Sequence, residues 1–489
     1  MTIDLSTITF TNGADIVPES GEEAIVNTGI ANTLAGNDTI TGIGGPYDIF
    51  NPSTGNQYGI FNTGTFDTAE GNDIITGNGG VYGIVNTGTF NTSEGNDIIT
   101  GNTVKYDGIR NSGTFNTGEG NDIITAKGDS YGMLNTGTFN TADGNDVITG
   151  TGGKAPGIII TYGSTFDTGN GNDTISGKGS GKGGFRGISN ASFTFNTGDG
   201  NDTIEGLGGY YGIENTGLIN TGNGKDTIIA KGRTLDSGRF GRGLSNISTI
   251  DTGDGDDIIT ASGGIDNYGT IDTGGGDDII TGISSLSDGY EIITGIYDFS
   301  NYGTIDTGNG NDSIIADRTL IIGTNGTINT GDGDDIITST GVIYNEGVIN
   351  TGDGHDSIIV DGGFDGTGTG YGIYNNGGAI ITGNGNDSII ANQGFESGPN
   401  SSGAWFLGEG DDYIKGFGSG DFYGGNGFDK LELTPGSYTL KKWADNTGES
   451  VVFTKGNSLM ITSEFEQLIA GGTTYDFASL TDGQIIVVA

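Results

Sequence analysis

The chain has 489 residues, 101 of them Gly, no Cys and a formal net charge of −44. That charge excludes a nucleic-acid binder, which must neutralise phosphate, and argues against an anionic membrane surface as partner. The missing Cys excludes a disulfide framework, and 32% hydrophobic residues exclude a conventional large core.

Taken in chain order, residues 1–35 carry no regular repeat and are expected to cap one end. Their start, MTIDLSTITFTNGADIV, lacks the basic n-region and continuous apolar stretch of a secretory signal. No window in the chain approaches the run of about 20 apolar residues needed to span a bilayer, so no membrane insertion is expected.

Residues 36–431 repeat. Sixteen times an Asp is followed two residues later by Ile, or once by Leu, in a setting close to Thr-Gly-x-Gly-Asn-Asp-x-Ile. The Asp residues are Asp38, Asp73, Asp97, Asp122, Asp146, Asp173, Asp202, Asp226, Asp257, Asp278, Asp312, Asp335, Asp356, Asp387, Asp412 and Asp429. Their spacing runs from 17 to 35 residues, with a shortest common unit of 21 to 25. Gly phased with Asp and Ile in this way is turn chemistry, and a phased array is a solenoid whose coils bury their apolar residues against one another.

Within one unit, Ile84, Phe90 and Ile99 sit in short β-branched or aromatic stretches bounded by Gly, Asn and Asp. These are strand signals, and no helical period is sustained. The expected fold is therefore all-β, a parallel β-solenoid with three strands per coil. Between the first and second strands an Asn-x-Gly turn recurs, as in Asn62/Gly64 and Asn86/Gly88. Left-handed backbone is expected there, together with stacked Asn side chains. Seven residues before Asp73, Asp97, Asp122, Asp146, Asp173 and Asp202 stands a Phe (Phe66, Phe90, Phe115, Phe139, Phe166, Phe195), and from Asp226 to Asp387 an Ile (Ile219 to Ile380), so stacked interior columns are expected. The third corner holds most of the length variation, as in 231–243 and 284–298, and most of the Lys and Arg.

The Asp turn points to metal. Ca²⁺ takes six to eight oxygens, and a Gly-rich turn supplies backbone carbonyls beside its carboxylate. One turn cannot complete the shell, so the sites are expected between adjacent coils, as a single row along one edge. Without metal, carboxylates stacked about 4.8 Å apart repel by roughly 1 kcal/mol per neighbour in water, so Ca²⁺ binding is expected to be coupled to folding. Mg²⁺ is the runner-up. Zn²⁺ is excluded by the absence of Cys and the presence of a single His, His355.

The segments TGNGNDTIS (168–176), TGDGNDTIE (197–205) and TGDGDDIIT (252–260) resemble the Gly-Gly-x-Gly-x-Asp-x-U-x nonapeptides of RTX (repeats-in-toxin, hemolysin-type) proteins. Here Thr mostly replaces the first Gly, and each coil carries one nonapeptide where the family's β-rolls carry two. The stretch 465–489 resembles the terminal segments of cyanobacterial RTX-type proteins. The resemblance implies an uncleaved C-terminal type I secretion segment and an extracellular or cell-surface location. Residues 432–489 lose the repeat and are expected to form a second cap, with Trp443, Lys441, Lys442 and a finishing strand at Ile485–Val488.

The function expected is a secreted calcium-binding structural, surface-layer or adhesive solenoid, not an enzyme. Its partners would be calcium ions, with cell-surface polysaccharide or further copies of the chain as candidates. A polysaccharide lyase or epimerase is the alternative, with Arg110 or Arg186 beside a Tyr or Asp as its charge-neutralising group. Ice binding through outward Thr and Asn rows is the second alternative. The Tyr-Gly-Ile starts at Tyr58, Tyr82, Tyr131, Tyr211 and Tyr371 are read as a packed corner, and His355 as a neutral occupant of a variable slot.

Overall fold

The computed structural model describes residues 2–18, 24–45, 57–180, 185–192, 194–233, 241–283, 298–362, 370–398, 403–445 and 448–489. Two compact units divide the chain: Met1–Asp254 with Ile258–Gly263, and Gly255–Asp257 with Gly264–Ala489.

The first unit is a parallel β-helix with three strands per coil, as its sequence period requires. One coil runs Tyr82–Asn86, Thr89–Asn91 and Ile98–Thr103. Each strand pairs in parallel with its counterpart one coil on, so that Ile84 opposes Ile109, Phe90 opposes Phe115 and Ile99 opposes Ile124. Pairing already includes Thr2–Asp4 against Ala24–Asn27. The alternation of the second strand, Thr out, Phe in, Asn out, explains how so few apolar residues suffice. Ile84, Phe90 and Ile99 are all fully buried, because a narrow coil has only one interior.

The Phe column forms as expected. Ring centroids from Phe66 through Phe195 are 4.5 to 5.1 Å apart, stacked in the middle and edge-on at both ends. Replacing the central ring, Phe115→Ala, is expected to cost about 3–5 kcal/mol through lost burial and the cavity left between its two neighbours. Thermal unfolding of wild type and variant under matched conditions measures it, and a loss below about 1 kcal/mol would mean the column collapses freely.

The Asn-x-Gly turn differs from expectation. Gly64, Gly88, Gly113 and Gly137 do not have left-handed backbone. They are Gly because coils approach closely there: a Cβ on Gly88 would lie 2.1 Å from the Gly64 carbonyl oxygen. The Asn side chains are fully buried and run as a ladder. Nδ2 of Asn62 donates to Oδ1 of Asn86 at 2.8 Å, Asn86 to Asn111 at 2.9 Å, and Asn111 to Asn135 at 2.9 Å. Each rung satisfies buried amide donors that would otherwise be stranded.

The second unit repeats the architecture, with strands such as Ile336–Ser339, Val342–Asn345 and Val348–Asn350. Its end turns antiparallel: Gly436–Asp445 pairs with Gly448–Lys455 and with Ile485–Val488. Ser458–Ser463 joins this meander on one side and the parallel stack on the other. Of the long third-corner segments at 231–243 and 284–298, residues 234–240 and 284–297 lie outside the described residues.

A candidate metal edge

The Asp turn is built from the strand before it. The Asn or Asp six residues upstream of the repeat Asp ends the second strand and accepts the backbone N–H two residues on, as Asp167 does from Gly169 (3.3 Å) and Asn32 from Leu34 (2.7 Å). The donating residue itself is left-handed. Gly169, Gly198 and Gly222 have φ near 80°, and the non-glycines Leu34, Ala69, Ser93 and Ala142 adopt φ of 59–64° at the same place. The second Gly of the turn is forced by stacking: a Cβ on Gly95 would sit 1.6 Å from the Gly71 carbonyl oxygen, and one on Gly120 1.6 Å from that of Gly95. The turn therefore stacks a file of carbonyl oxygens, one per coil.

All sixteen repeat Asp residues are buried, at 0 to 1% exposure. In the first unit Asp38, Asp73, Asp97, Asp122, Asp146, Asp173, Asp202 and Asp226 form one file. In the second, Asp257, Asp278, Asp312, Asp335, Asp356, Asp387, Asp412 and Asp429 form another.

Each carboxylate spans two coils. Oδ1 of Asp73 accepts the backbone N–H of Asp38 at 2.7 Å, Oδ1 of Asp97 that of Asp73 at 2.8 Å, and the pattern continues to Asp226. In the second unit it runs from Asp278, which accepts from Asp257, to Asp429, which accepts from Asp412. At Asp38 and at Asp429 the ladders are closed by residues outside the repeat motif. Asp15 donates its N–H to Asp38, and Glu466 accepts the N–H of Asp429 at 2.7 Å.

The residue before each Asp forms a second ladder running the other way. The N–H of Asn96 donates to Oδ1 of Asn72, that of Asn121 to Asn96 and that of Asn145 to Asn121, each at 2.7 Å. His355 is one of these rungs: its Nδ1 accepts the N–H of Asn386 at 2.8 Å. Most side chains in this slot can accept, and Lys225 and Phe428 are exceptions. Lys225 receives its own bond from Asn201, but an ammonium cannot pass one on.

The other carboxylate oxygen is left over. In the seven residues from Asp38 to Asp202 and the seven from Asp278 to Asp429, Oδ2 is buried with no hydrogen-bond partner among the described residues. The Thr five residues upstream is close enough to lower the carboxyl pKa, as Thr92 does for Asp97. The Thr92 hydroxyl proton, however, goes to the Thr117 carbonyl oxygen at 2.9 Å, whereas the hydroxyls of Thr68 and Thr117, beside Asp73 and Asp122, have no other partner among the described residues. Burial outweighs these hydrogen bonds. It pushes the carboxyl pKa from 3.8 up to about 6 in Asp73 and Asp122, about 7 in Asp97, Asp202, Asp278, Asp335 and Asp412, and about 8 in Asp146.

A buried carboxylate oxygen without a donor costs several kcal/mol unless it is protonated or meets a cation. The donors at this edge are carboxylate and carbonyl oxygens, which fit a hard divalent ion. Among the described residues no three His, Cys, Asp or Glu side chains stand together as a metal site. A cation here would thus take one carboxylate oxygen per turn and complete its shell with backbone carbonyls and water.

The residues considered for catalysis are spent elsewhere. Nε of Arg110 donates to the buried Asp107 carboxylate at 2.7 Å, and its guanidinium lies over the Tyr82 ring. Arg186 donates to Glu214 at 2.8 Å and lies over Tyr211. Tyr58, Tyr82 and Tyr106 stack on one another at 5.3 to 5.5 Å, which consumes the ring faces a sugar would need.

The chain matches no protein-family model and no curated protein. Among solved structures it is similar to a hyperactive, Ca²⁺-dependent, β-helical antifreeze protein from an Antarctic bacterium, at 17% identity over 83% of this chain and 84% of that one. The TM-score is 0.33, a loose likeness that carries no argument about this edge.

Proposed function

We propose that the chain is a calcium-loaded RTX-type solenoid with an extracellular structural or surface-layer role, exported by a type I system. The observation that carries the calcium reading is the file of buried Asp Oδ2 atoms, which from Asp38 to Asp202 and from Asp278 to Asp429 have no hydrogen-bond partner among the described residues. A cation per turn would supply the missing partner and cancel the repulsion along the file. Asp73, Asp97, Asp122 and their equivalents would hold it, and its chemistry is charge neutralisation rather than catalysis. No catalytic role is proposed, since Arg110 and Arg186 are already neutralised by carboxylates.

The test is a Ca²⁺ titration followed by circular dichroism at neutral pH, with Mg²⁺ as control. The expected result is cooperative β-structure with Ca²⁺ and its loss in chelator. A chain that stays fully folded in chelator and takes up no metal sinks this reading.

Ice binding is a second reading, favoured by one observation. The outer face of the second strands carries exposed Thr89, Thr114 and Thr138 in register. Beside them runs a rigid Asx row, in which Asn116 donates to Asn91 at 2.8 Å and Asn91 to Asp67 at 3.0 Å. Freezing-point hysteresis that a Thr114→Tyr substitution removes would carry it, and no hysteresis ends it.

A further inference from the structure

The acidic chain carries a basic corner. Lys127, Lys154, Lys178, Arg186, Lys231 and Arg233 all lie at or beside the third corner of the first unit, on a chain with only 18 basic residues. Three are tied to acids: Lys154 to Asp129 at 2.6 Å, Lys231 to Glu205 at 2.8 Å, and Arg186 to Glu214 at 2.8 Å. The corner keeps a local positive excess. Lys127 and Lys178 are exposed, without an ion pair among the described residues.

Their spacing is regular. Strand register runs Lys127, Thr151, Lys178, Leu207, Lys231. A Lys thus stands at every second coil, roughly 10 Å apart along the axis.

A different corner of the same unit carries the complement. Three residues before each repeat Asp stand exposed Glu70, Glu94, Glu119, Asp143, Asn170 and Asp199. They form one column, because each carbonyl caps the Gly of the preceding coil: Glu119 takes the N–H of Gly95, Asp143 that of Gly120, Asn170 that of Gly144 and Asp199 that of Gly171. Glu94, Asp143 and Asp199 are therefore also two coils apart. One unit thus carries two columns of opposite sign at different corners of its coils, the acidic one at nearly every coil and the basic one at every second.

The geometry points to side-by-side association of copies of this chain, the basic corner of one against the acidic turn column of the next. A second copy is favoured over a free polyanion because its acidic column is built on the same coil spacing, so that carboxylates such as Glu94, Asp143 and Asp199 recur opposite lysines set two coils apart. The contact joins two different patches, so it does not close and propagates as an open array. Long-range repulsion between the acidic chains is screened beyond about 8–10 Å at physiological salt, whereas the paired columns act at contact. The inference rests on the structural-role reading and deepens it by naming the partner.

The test is sedimentation velocity of the calcium-saturated chain over a range of concentrations, with circular dichroism to confirm folding of every variant. Wild type is expected to grow in mass with concentration. Lys127→Glu/Lys178→Glu and Glu94→Lys/Asp143→Lys should each associate at least roughly tenfold more weakly, and an equimolar mixture of the two should recover association. A wild type that stays monomeric overturns the proposal, including the case in which the basic corner captures an acidic polysaccharide instead. So does a mixture that fails to recover. If the chain folds without calcium yet still associates through these columns, the calcium reading falls and this one stands.

Discussion

In chelator, the folded chain is expected to be most stable below about pH 4 and to lose β-structure as pH rises through the range 6 to 8. The ladder carboxyls have pKa values raised by burial, from 3.8 to about 6 in Asp122, about 7 in Asp97 and about 8 in Asp146. A group whose folded pKa lies above its unfolded value binds more protons when folded. Its stability contribution is therefore complete below the unfolded pKa and disappears as pH passes the folded one. For a rise to about 7, full ionisation costs on the order of 4 kcal/mol per carboxyl as an upper bound. A few such losses match the whole ~5–15 kcal/mol stability of a typical domain. Neighbouring carboxyls titrate together, so the loss is spread over a broad range.

Calcium competes with those protons for the same oxygens and should reverse the sign, giving a folded chain at pH 8 that releases metal on acidification. Circular dichroism across pH, with and without calcium, measures both arms. An apo protein more stable at pH 8 than at pH 4 would contradict the assignment of the orphaned oxygens.

The second expected result separates the two oxygens of one residue. Asp122→Asn keeps an Oδ1 acceptor for the Asp97 N–H, now held at 2.8 Å, and carries no charge to bury. In chelator its loss of β-structure should come at higher pH than in wild type, and at the wild-type midpoint it should be more stable by about 1–3 kcal/mol, since one costly ionisation is gone. Asp122→Ala removes the acceptor, strands a buried N–H and opens space between coils, and should be less stable by about 2–4 kcal/mol. With saturating calcium both variants should bind fewer ions than wild type, counted by equilibrium dialysis. If Asn and Ala behave alike in chelator, the backbone ladder has no energetic role. If neither loses calcium, the edge is not the metal site.

The repeat was legible because it is written locally. Asp-x-Ile at each third strand, Phe90 and Phe115 at matched places in their coils, and Gly-x-Gly before each Asp together imply short strands, sharp turns and stacked columns. The structure has all of these. The left-handed reading of Asn62/Gly64 and its kin failed because Gly serves two ends. A local pattern does not distinguish a residue needing unusual φ from one whose Cβ would meet the coil below. Arg110, read beside a Tyr or Asp, does stand between Tyr82 and Asp107, yet a spacing of three residues alone does not show that Asp107 is buried against it.

The candidate edge divides along the same line. By itself the sequence determined the file of Asp, the density of Gly around it and the oxygen-only chemistry of the turn, since those follow from residue type and period. Only the tertiary structure decided what each oxygen does. Oδ1 closes a bond to a backbone N–H 17 to 35 residues away, Oδ2 is buried without a donor, and Asp15 and Glu466 finish the ladders from outside the repeat. Those assignments belong to the stacking of one coil on the next. A hydrogen bond between coils depends on how insertions of different length are absorbed at the third corner, and no short sequence window contains both of its ends.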